Sequence, residues 1–125
     1  MLMTQADWAW PMALRDIFKP RGVNLLVADG VSEFVNVLRH RRIAATIVDT
    51  DSGPSGGLWT LRIIRLEFPR IPCIILTSDP TEGVLEEALE LDAFSVIDKP
   101  VDLGILRDQL NRLFVRNYSS HIFSY

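Results

Sequence analysis

Nearly continuous apolar runs of strand length alternate with stretches of helical periodicity from one end of the chain to the other, and few folds accommodate that rhythm. Val23 to Ala28, Ala44 to Val48, Ile71 to Leu76 and Ala93 to Ile97 are such runs, and Met1 to Thr4 makes a shorter first one. Strands read this way when helices cover both faces of a parallel sheet, so five βα units are expected. Right-handed crossovers then place every carboxyl end on one edge, where such sheets carry their chemistry. The runs end in Gln5 with Asp7 just beyond, in Asp29, in Asp49 with Asp51, in Thr77-Ser78 and in Asp98-Lys99. Polar residues therefore converge on a single edge.

The stretches between the runs carry helix signals. Met12 to Phe18 is helical with Pro11 at its start, and Ser32 caps a helix whose apolar side holds Phe34, Val35, Val37 and Leu38. The turn Asp51 to Gly57 leads into a helix from Leu58 to Phe68, stopped by Pro69. Asp79 caps the next helix with Pro80 at its first position, Glu82, Glu86 and Glu87 in its early turns, and Leu85, Ala88 and Leu89 as its buried stripe. Lys99-Pro100 breaks the last strand, and Val101 to Phe114 closes the chain with Leu103, Leu106, Leu110 and Leu113 at helical spacing.

A length of 125 residues suits one domain, and 48% hydrophobic against 23% charged residues excludes a disordered chain. Sixteen acids against 13 bases leave a net charge of -3 and no broad basic field, so direct nucleic-acid binding by this domain is not expected. Cys73, the one cysteine, cannot form an internal disulfide; inside Ile71 to Leu76 it reads as a buried, inert thiol of a reduced, cytoplasmic protein. Met1 to Pro11 has neither a basic n-region nor a long apolar h-region, and no stretch approaches about 18 uninterrupted apolar residues. Neither a signal peptide nor a membrane span is expected.

A carboxylate, a hydroxyl and an ammonium brought together at the mouth of a sheet suit phosphoryl transfer to the carboxylate. Asp49 would attack, Lys99 would neutralise charge on the phosphoryl oxygens, and Thr77 would donate a hydrogen bond to one of them. The same three residues also read as ordinary turn, cap and solvated positions. Their order favours the first reading, because the chain from Met1 to Phe114 resembles the receiver domains of two-component response regulators. The resemblance rests on Ile47-Val48-Asp49 with Gly57 eight residues on, on Ile74-Ile75-Leu76-Thr77-Ser78, and on Asp92-Ala93-Phe94-Ser95-Val96-Ile97-Asp98-Lys99-Pro100. It implies a flavodoxin-like three-layer sandwich with a five-stranded parallel sheet in the order 2-1-3-4-5. It also implies Asp49 as phosphoacceptor, Thr77 as switch hydroxyl, Lys99 as the phosphoryl-contacting lysine, a cis bond before Pro100, and the backbone carbonyl of Asp51 as a metal contact beside Asp49.

The chain departs from the pattern at defined places. The acidic pair that holds Mg²⁺ in receivers falls on Gln5 and Ala6, with Asp7 one residue late, so Mg²⁺ binding is expected to be weak. The switch aromatic position is Val96; Phe94 is the nearest ring and is expected on the same face, one alternation back. Asp92-Ala93 stands where the family has Gly-Ala, and Gly53 with Pro54 where it has a Pro one residue earlier. These departures imply a non-enzymatic, atypical receiver that acts in protein-protein signalling, with weak or absent phosphorylation. Its partners would be a sensor histidine kinase or another signalling protein, and a second copy across the face built from the fourth helix, fifth strand and fifth helix of the family. A conventional phosphorylation switch using Asp7 is the alternative, and a haloacid-dehalogenase-type phosphatase with Asp49 and Asp51 is a remote one. A flavodoxin-like cofactor binder lacks its phosphate loop, since Gly53 to Gly57 has no Lys-Ser/Thr ending.

The remaining features take plainer readings. Asp29-Gly30 is a turn, Arg39-His40-Arg41-Arg42 is a solvated helix end, and Trp59 is partly buried helix surface. Trp8 and Trp10 either pack the first helix or anchor a partner. The domain is expected to occupy residues 1 to 114. The aromatic stretch from Val115 to Tyr125, with Tyr118, His121, Phe123 and Tyr125, would be a tail or the start of a linker.

Overall fold

Within a parallel sheet covered on both faces, neighbouring residues of a central strand must both find apolar partners, one on each side. Cys73–Thr77 meets that condition: every one of its residues is buried. The computed structural model describes residues 2–4, 26–28, 31–49, 57–78, 81–99 and 101–118. Its elements are β1 (Leu2–Thr4), β2 (Leu26–Ala28), α1 (Val31–His40), β3 (Thr46–Asp49), α2 (Gly57–Glu67), β4 (Cys73–Thr77), α3 (Glu82–Glu90), β5 (Ser95–Asp98) and α4 (Leu103–Tyr118). The helix read at Met12 to Phe18, the turns at Asp29-Gly30, Asp51 to Gly56 and Asp79-Pro80, and the tail beyond Tyr118 lie outside the described residues.

Among the described residues all strand pairings are parallel. β4 pairs with β3 from Thr46↔Cys73 to Asp49↔Leu76, and with β5 from Ile74↔Ser95 to Thr77↔Asp98. β1 pairs with β3 through Leu2↔Thr46 and Met3↔Ile47, and with β2 through Leu2↔Leu26 to Thr4↔Ala28. The period of two then sorts the side chains into two cores. Ala45, Ile47, Ile74, Leu76 and Ile97 face Leu106, Leu110, Leu113 and Phe114 of α4. Val48, Cys73 and Ile75 face Phe34 and Leu38 of α1 and Leu61 and Ile64 of α2.

Three strands begin about two residues later than their apolar runs, for reasons of backbone hydrogen bonding. Pro72 has no N–H to offer a ladder; instead its carbonyl accepts from both the N–H (2.9 Å) and the Oγ1 (3.2 Å) of Thr46, and this fixes the start of β3 and β4. The Ala93 N–H is committed to the Ala88 carbonyl at 2.9 Å, so β5 pairing starts with the Phe94 N–H on the Cys73 carbonyl at 2.8 Å. Ala93 to Ala88 and Asp92 to Leu89 are the two bonds of a Schellman ending for α3, and Asp92 takes the left-handed conformation it requires, with φ 55°. That is the position where glycine is easiest to place. Arg65 completes the joint: its guanidinium donates to the carbonyls of Leu91 (2.6 Å), Ile71 (2.6 Å) and Asp92 (3.1 Å), tying α2 to the end of α3 and the entry to β4.

Several helix expectations need correction. α1 has already begun at Val31, so Ser32 sits in its first turn with Glu33, where free N–H groups and the macrodipole favour polar side chains. α3 is capped by Thr81 rather than Asp79, because the Thr81 hydroxyl accepts the Val84 N–H at 3.3 Å. Its buried stripe is not Leu85, Ala88 and Leu89: Ala88 is 1% exposed, whereas Leu85 is 45% and Leu89 76% exposed. A nine-residue helix has room for one inward stripe, and Val84, Ala88 and Leu91 take it, Ala88 being buried and the other two half-buried. α4 starts at Leu103, with the Asp102 carboxylate accepting from the N–H groups of Gly104 (2.8 Å) and Ile105 (3.2 Å). It continues to Tyr118, four residues past the helix end expected at Phe114. Of the basic run that ends α1, Arg39 is paired with Glu67 of α2 rather than simply solvated.

Cys73 is fully buried, and burial pushes its thiol up to about 11, against smaller opposing effects of the Thr46 hydrogen bond and the Arg65 charge. Above an ordinary thiol pKa the unfolded chain releases this proton while the folded chain keeps it. Stability should therefore fall by about 2 to 3 kcal/mol as pH rises toward 11, and a Cys73→Ala variant should lack that part of the slope. Urea titrations of both proteins across this range measure the difference. Iodoacetamide should label Cys73 only after unfolding.

Candidate functional site

The registers that build the sheet also assemble the edge. Asp49, the last residue of β3, lies opposite Leu76, and Thr77, the last of β4, lies opposite Asp98. Asp49 and Thr77 are 1% and 2% exposed, so both polar side chains are held in the protein rather than in water. Lys99 follows β5 directly. Its N–H donates to the Thr77 carbonyl at 2.8 Å, which extends the ladder by one residue and fixes where its side chain starts. From there the ammonium reaches back to β3, and Nζ donates to Asp49 Oδ2 at 2.7 Å.

This bond is short and charge-assisted, and its surroundings strengthen it: the Asp49 side chain is 2% exposed and that of Lys99 19%. A carboxylate held this way is an oxygen nucleophile whose charge is neutralised by an ammonium from the opposite side of β4. The same ammonium can follow charge from the carboxylate to any oxyanion added to it. Thr77 sits at the strand end between them, so a hydroxyl is available beside such a group. The expected convergence of Asp49, Thr77 and Lys99 on one edge is therefore what the described strands produce. Sequence reading missed the main-chain bond from Lys99 to Thr77; parallel-ladder register, extended one step past Asp98, is the signal that would have found it.

Other expected members stand differently. Val96 packs with the α1 and α2 core, whereas Phe94 packs with the α4 core, so the ring is not on the face of Val96. Alternation does not carry back to residue 94, because β5 begins only at Ser95 and Phe94 occupies the bend before it. Asp98 is exposed at the strand end. Gln5, Ala6, Asp7, Asp51, Gly53, Pro54 and Pro100 lie outside the described residues, and with them the acids and the cis bond that the resemblance implied.

A divalent metal of the Mg²⁺ type needs several oxygen ligands around one point. Among the described residues no group of three or more His, Cys, Asp or Glu side chains is disposed to hold a metal. The described donors at this edge, a buried carboxylate already bonded to an ammonium and a hydroxyl, do not by themselves make up such a site.

Comparison with known proteins gives the edge its context. Residues 7–111 match the family described as response regulator receiver domain. An NtrX-like response regulator of Rickettsia bellii (strain RML369-C) is 28% identical over 86 residues, covering 67% of this chain and 18% of its own length. The transcriptional regulatory protein ZraR of Escherichia coli (strain K12) is 23% identical over 119 residues, 95% of this chain and 27% of that protein. The chain thus spans about a fifth to a quarter of the curated relatives it matches. The crystal structure of a response regulator receiver protein from Pseudomonas putida superposes with a TM-score of 0.80 at 28% identity, covering 89% of this chain and 93% of that one. With a family match over most of its length, a similar solved structure and a carboxylate, hydroxyl and lysine at one edge of a parallel sheet, the chain belongs to the response regulator receiver domains of two-component signal transduction.

Proposed function

We propose that this receiver is an atypical one: Asp49 is kept as phosphoacceptor, the Mg²⁺-binding acids are degenerate, and the domain works mainly as a docking and dimerisation module with weak or absent phosphorylation. The observation that carries the reading is the Lys99 to Asp49 ion pair at 2.7 Å, set beside a sequence with Gln5 and Ala6 where the acidic pair belongs. The acceptor and its lysine are in place, and the ligands that would draw in a metal are reduced to Asp49, the Asp51 carbonyl and Asp7. Mg²⁺, when bound, supplies charge compensation for phosphoryl oxygens.

The chain's own residues account for the remaining chemistry. An Asp49 oxygen would attack the phosphorus of a phosphodonor as the donor's bond to phosphorus breaks. Lys99 would transfer its hydrogen bond from the carboxylate to the new phosphoryl oxygens, and the Thr77 hydroxyl would turn toward them. Val96 in place of a switch aromatic removes the ring that would report this movement to the surface. Receiver domains act with histidine kinases, and a sensor kinase or another signalling protein is the partner in this reading, in the cytoplasm. Among the described residues no helix is long and apolar enough to cross a membrane. Exposed Leu85 on α3 and Ile105 on α4 support self-association across the face these helices form with β5. The unit would be the five-stranded flavodoxin-like sandwich, order 2-1-3-4-5, running through α4, with the stretch after Tyr118 as tail.

Amide shifts around Asp49, Thr77 and Lys99 test the proposal when Mg²⁺ and beryllofluoride are added. Little or no response at millimolar Mg²⁺ is expected, with a dimer fraction in sedimentation that ignores the phosphodonor. A full response that Asp49→Ala abolishes would replace this reading with the conventional switch.

A further inference from the structure

The helices run antiparallel to the strands, so their carboxyl ends gather at the sheet edge opposite Asp49, and arginines gather with them. Arg65 lies in the last turn of α2, Arg70 in the turn that follows, and Arg116 in the last turn of α4. Between them is an open cleft of about 350 Å³ whose wall includes Leu89 and Phe94. Arg65 is occupied with three backbone carbonyls, which makes it part of the cleft's frame. Arg70 and Arg116 are exposed, and neither forms an ion pair among the described residues. Beside them Leu89 stands 76% exposed, on the α3 face that the core leaves out.

Helix dipoles explain a cation in the last turn of α2 or α4. They do not explain Arg70, which lies beyond the helix, or the pairing of two available guanidinium groups with an exposed leucine and a ring. We infer that this cleft docks an acidic segment of a partner protein, one that presents carboxylates to Arg70 and Arg116 and an apolar side chain to Leu89 and Phe94. Charge complementarity selects this occupant. Either anion meets the Asp92 carboxylate on the cleft wall, but a polyphosphate backbone would gain two guanidinium groups and leave the apolar wall unused. A peptide that alternates carboxylates with leucine uses both halves. The site lies at the far end of the strands from Asp49, so a partner could engage it whatever the state of the phosphoacceptor.

Fluorescence anisotropy with a labelled synthetic peptide alternating glutamate and leucine tests the assignment on the full chain. Its lysine-for-glutamate counterpart and a single-stranded oligonucleotide of equal charge serve as comparisons. The acidic peptide should bind, shift the amides of Leu89 to Phe94 rather than those near Thr77, and weaken as salt rises. Arg70→Glu/Arg116→Glu should lower its affinity about tenfold or more, and Leu89→Ser should lower it separately. Arg70→Gln/Arg116→Gln, with a smaller expected loss, covers the case in which charge reversal impairs folding. No binding at millimolar peptide, binding that the arginine variants leave unchanged, or an oligonucleotide that binds as well through the same arginines would each overturn the assignment.

Discussion

Replacing Lys99 by methionine should cost about 2 to 4 kcal/mol of folding stability, and adding Asp49→Asn should recover a good part of that loss. Methionine keeps most of the apolar stem that lysine lays along its path and removes the ammonium, so the packing change is small. What remains is a carboxylate 2% exposed that has lost the Lys99 ammonium. Breaking one side of a buried ion pair typically costs about 3 to 5 kcal/mol; the lower figure applies here because the lysine side chain is 19% exposed, and water already carries part of its solvation. The asymmetry between partners follows. Asp49→Asn alone should cost less than Lys99→Met, since the surviving ammonium can turn to water and an amide in place of the carboxylate no longer carries a charge. Urea midpoints at constant m-value for the parent, both single variants and the double variant close the cycle. A Lys99→Met protein within about 0.5 kcal/mol of the parent would mean that the 2.7 Å contact carries little coupling, and the site's electrostatics would have to be reassigned.

How far the sequence discloses this protein depends on whether a feature is local or is decided by what packs against it. The β4 run is legible because both of its faces are apolar, and a strand buried on both sides leaves no choice of orientation. The α4 stripe of Leu106, Leu110 and Leu113 is legible because successive turns repeat one period. Asp49, Thr77 and Lys99 are legible as a set because parallel topology sends all strand ends the same way. The inward side of α3 is not legible: Leu85 with Leu89 and Val84 with Ala88 are equally good stripes one step apart, and the choice rests on what the rest of the chain packs against the helix. The face taken by Phe94 is hidden for a related reason. Its neighbour Ala93 is held by the end of α3, so the strand period starts a residue too late to govern the ring. Cap positions show the same limit, since Asp79 and Thr81 both qualify by residue type, and it is the geometry that puts the Thr81 hydroxyl on the N–H of the third helical position.

These differences predict opposite outcomes for two leucines that look alike in the sequence. Leu110→Ala should destabilise by about 2 to 5 kcal/mol, because Leu110 is fully buried among Ile47, Ile74, Leu76 and the other α4 leucines and its removal leaves a cavity. Leu89→Ala should stay within about 0.5 kcal/mol of the parent, because a side chain 76% exposed has little burial to lose and alanine suits a helix at least as well. Equal losses would restore the leucine stripe as the inward face of α3 and undo the Thr81 cap and Schellman geometry together. The two variants should also differ at the functional edge. Ile97 belongs to the Leu110 cluster and lies two residues before Lys99, whose N–H holds the Thr77 carbonyl. A cavity at Leu110 loosens the end of β5 and should speed hydrogen exchange at the Lys99 amide, while Leu89→Ala leaves that rate unchanged. The packing of α4 on the sheet is in this sense what aims Lys99 at Asp49.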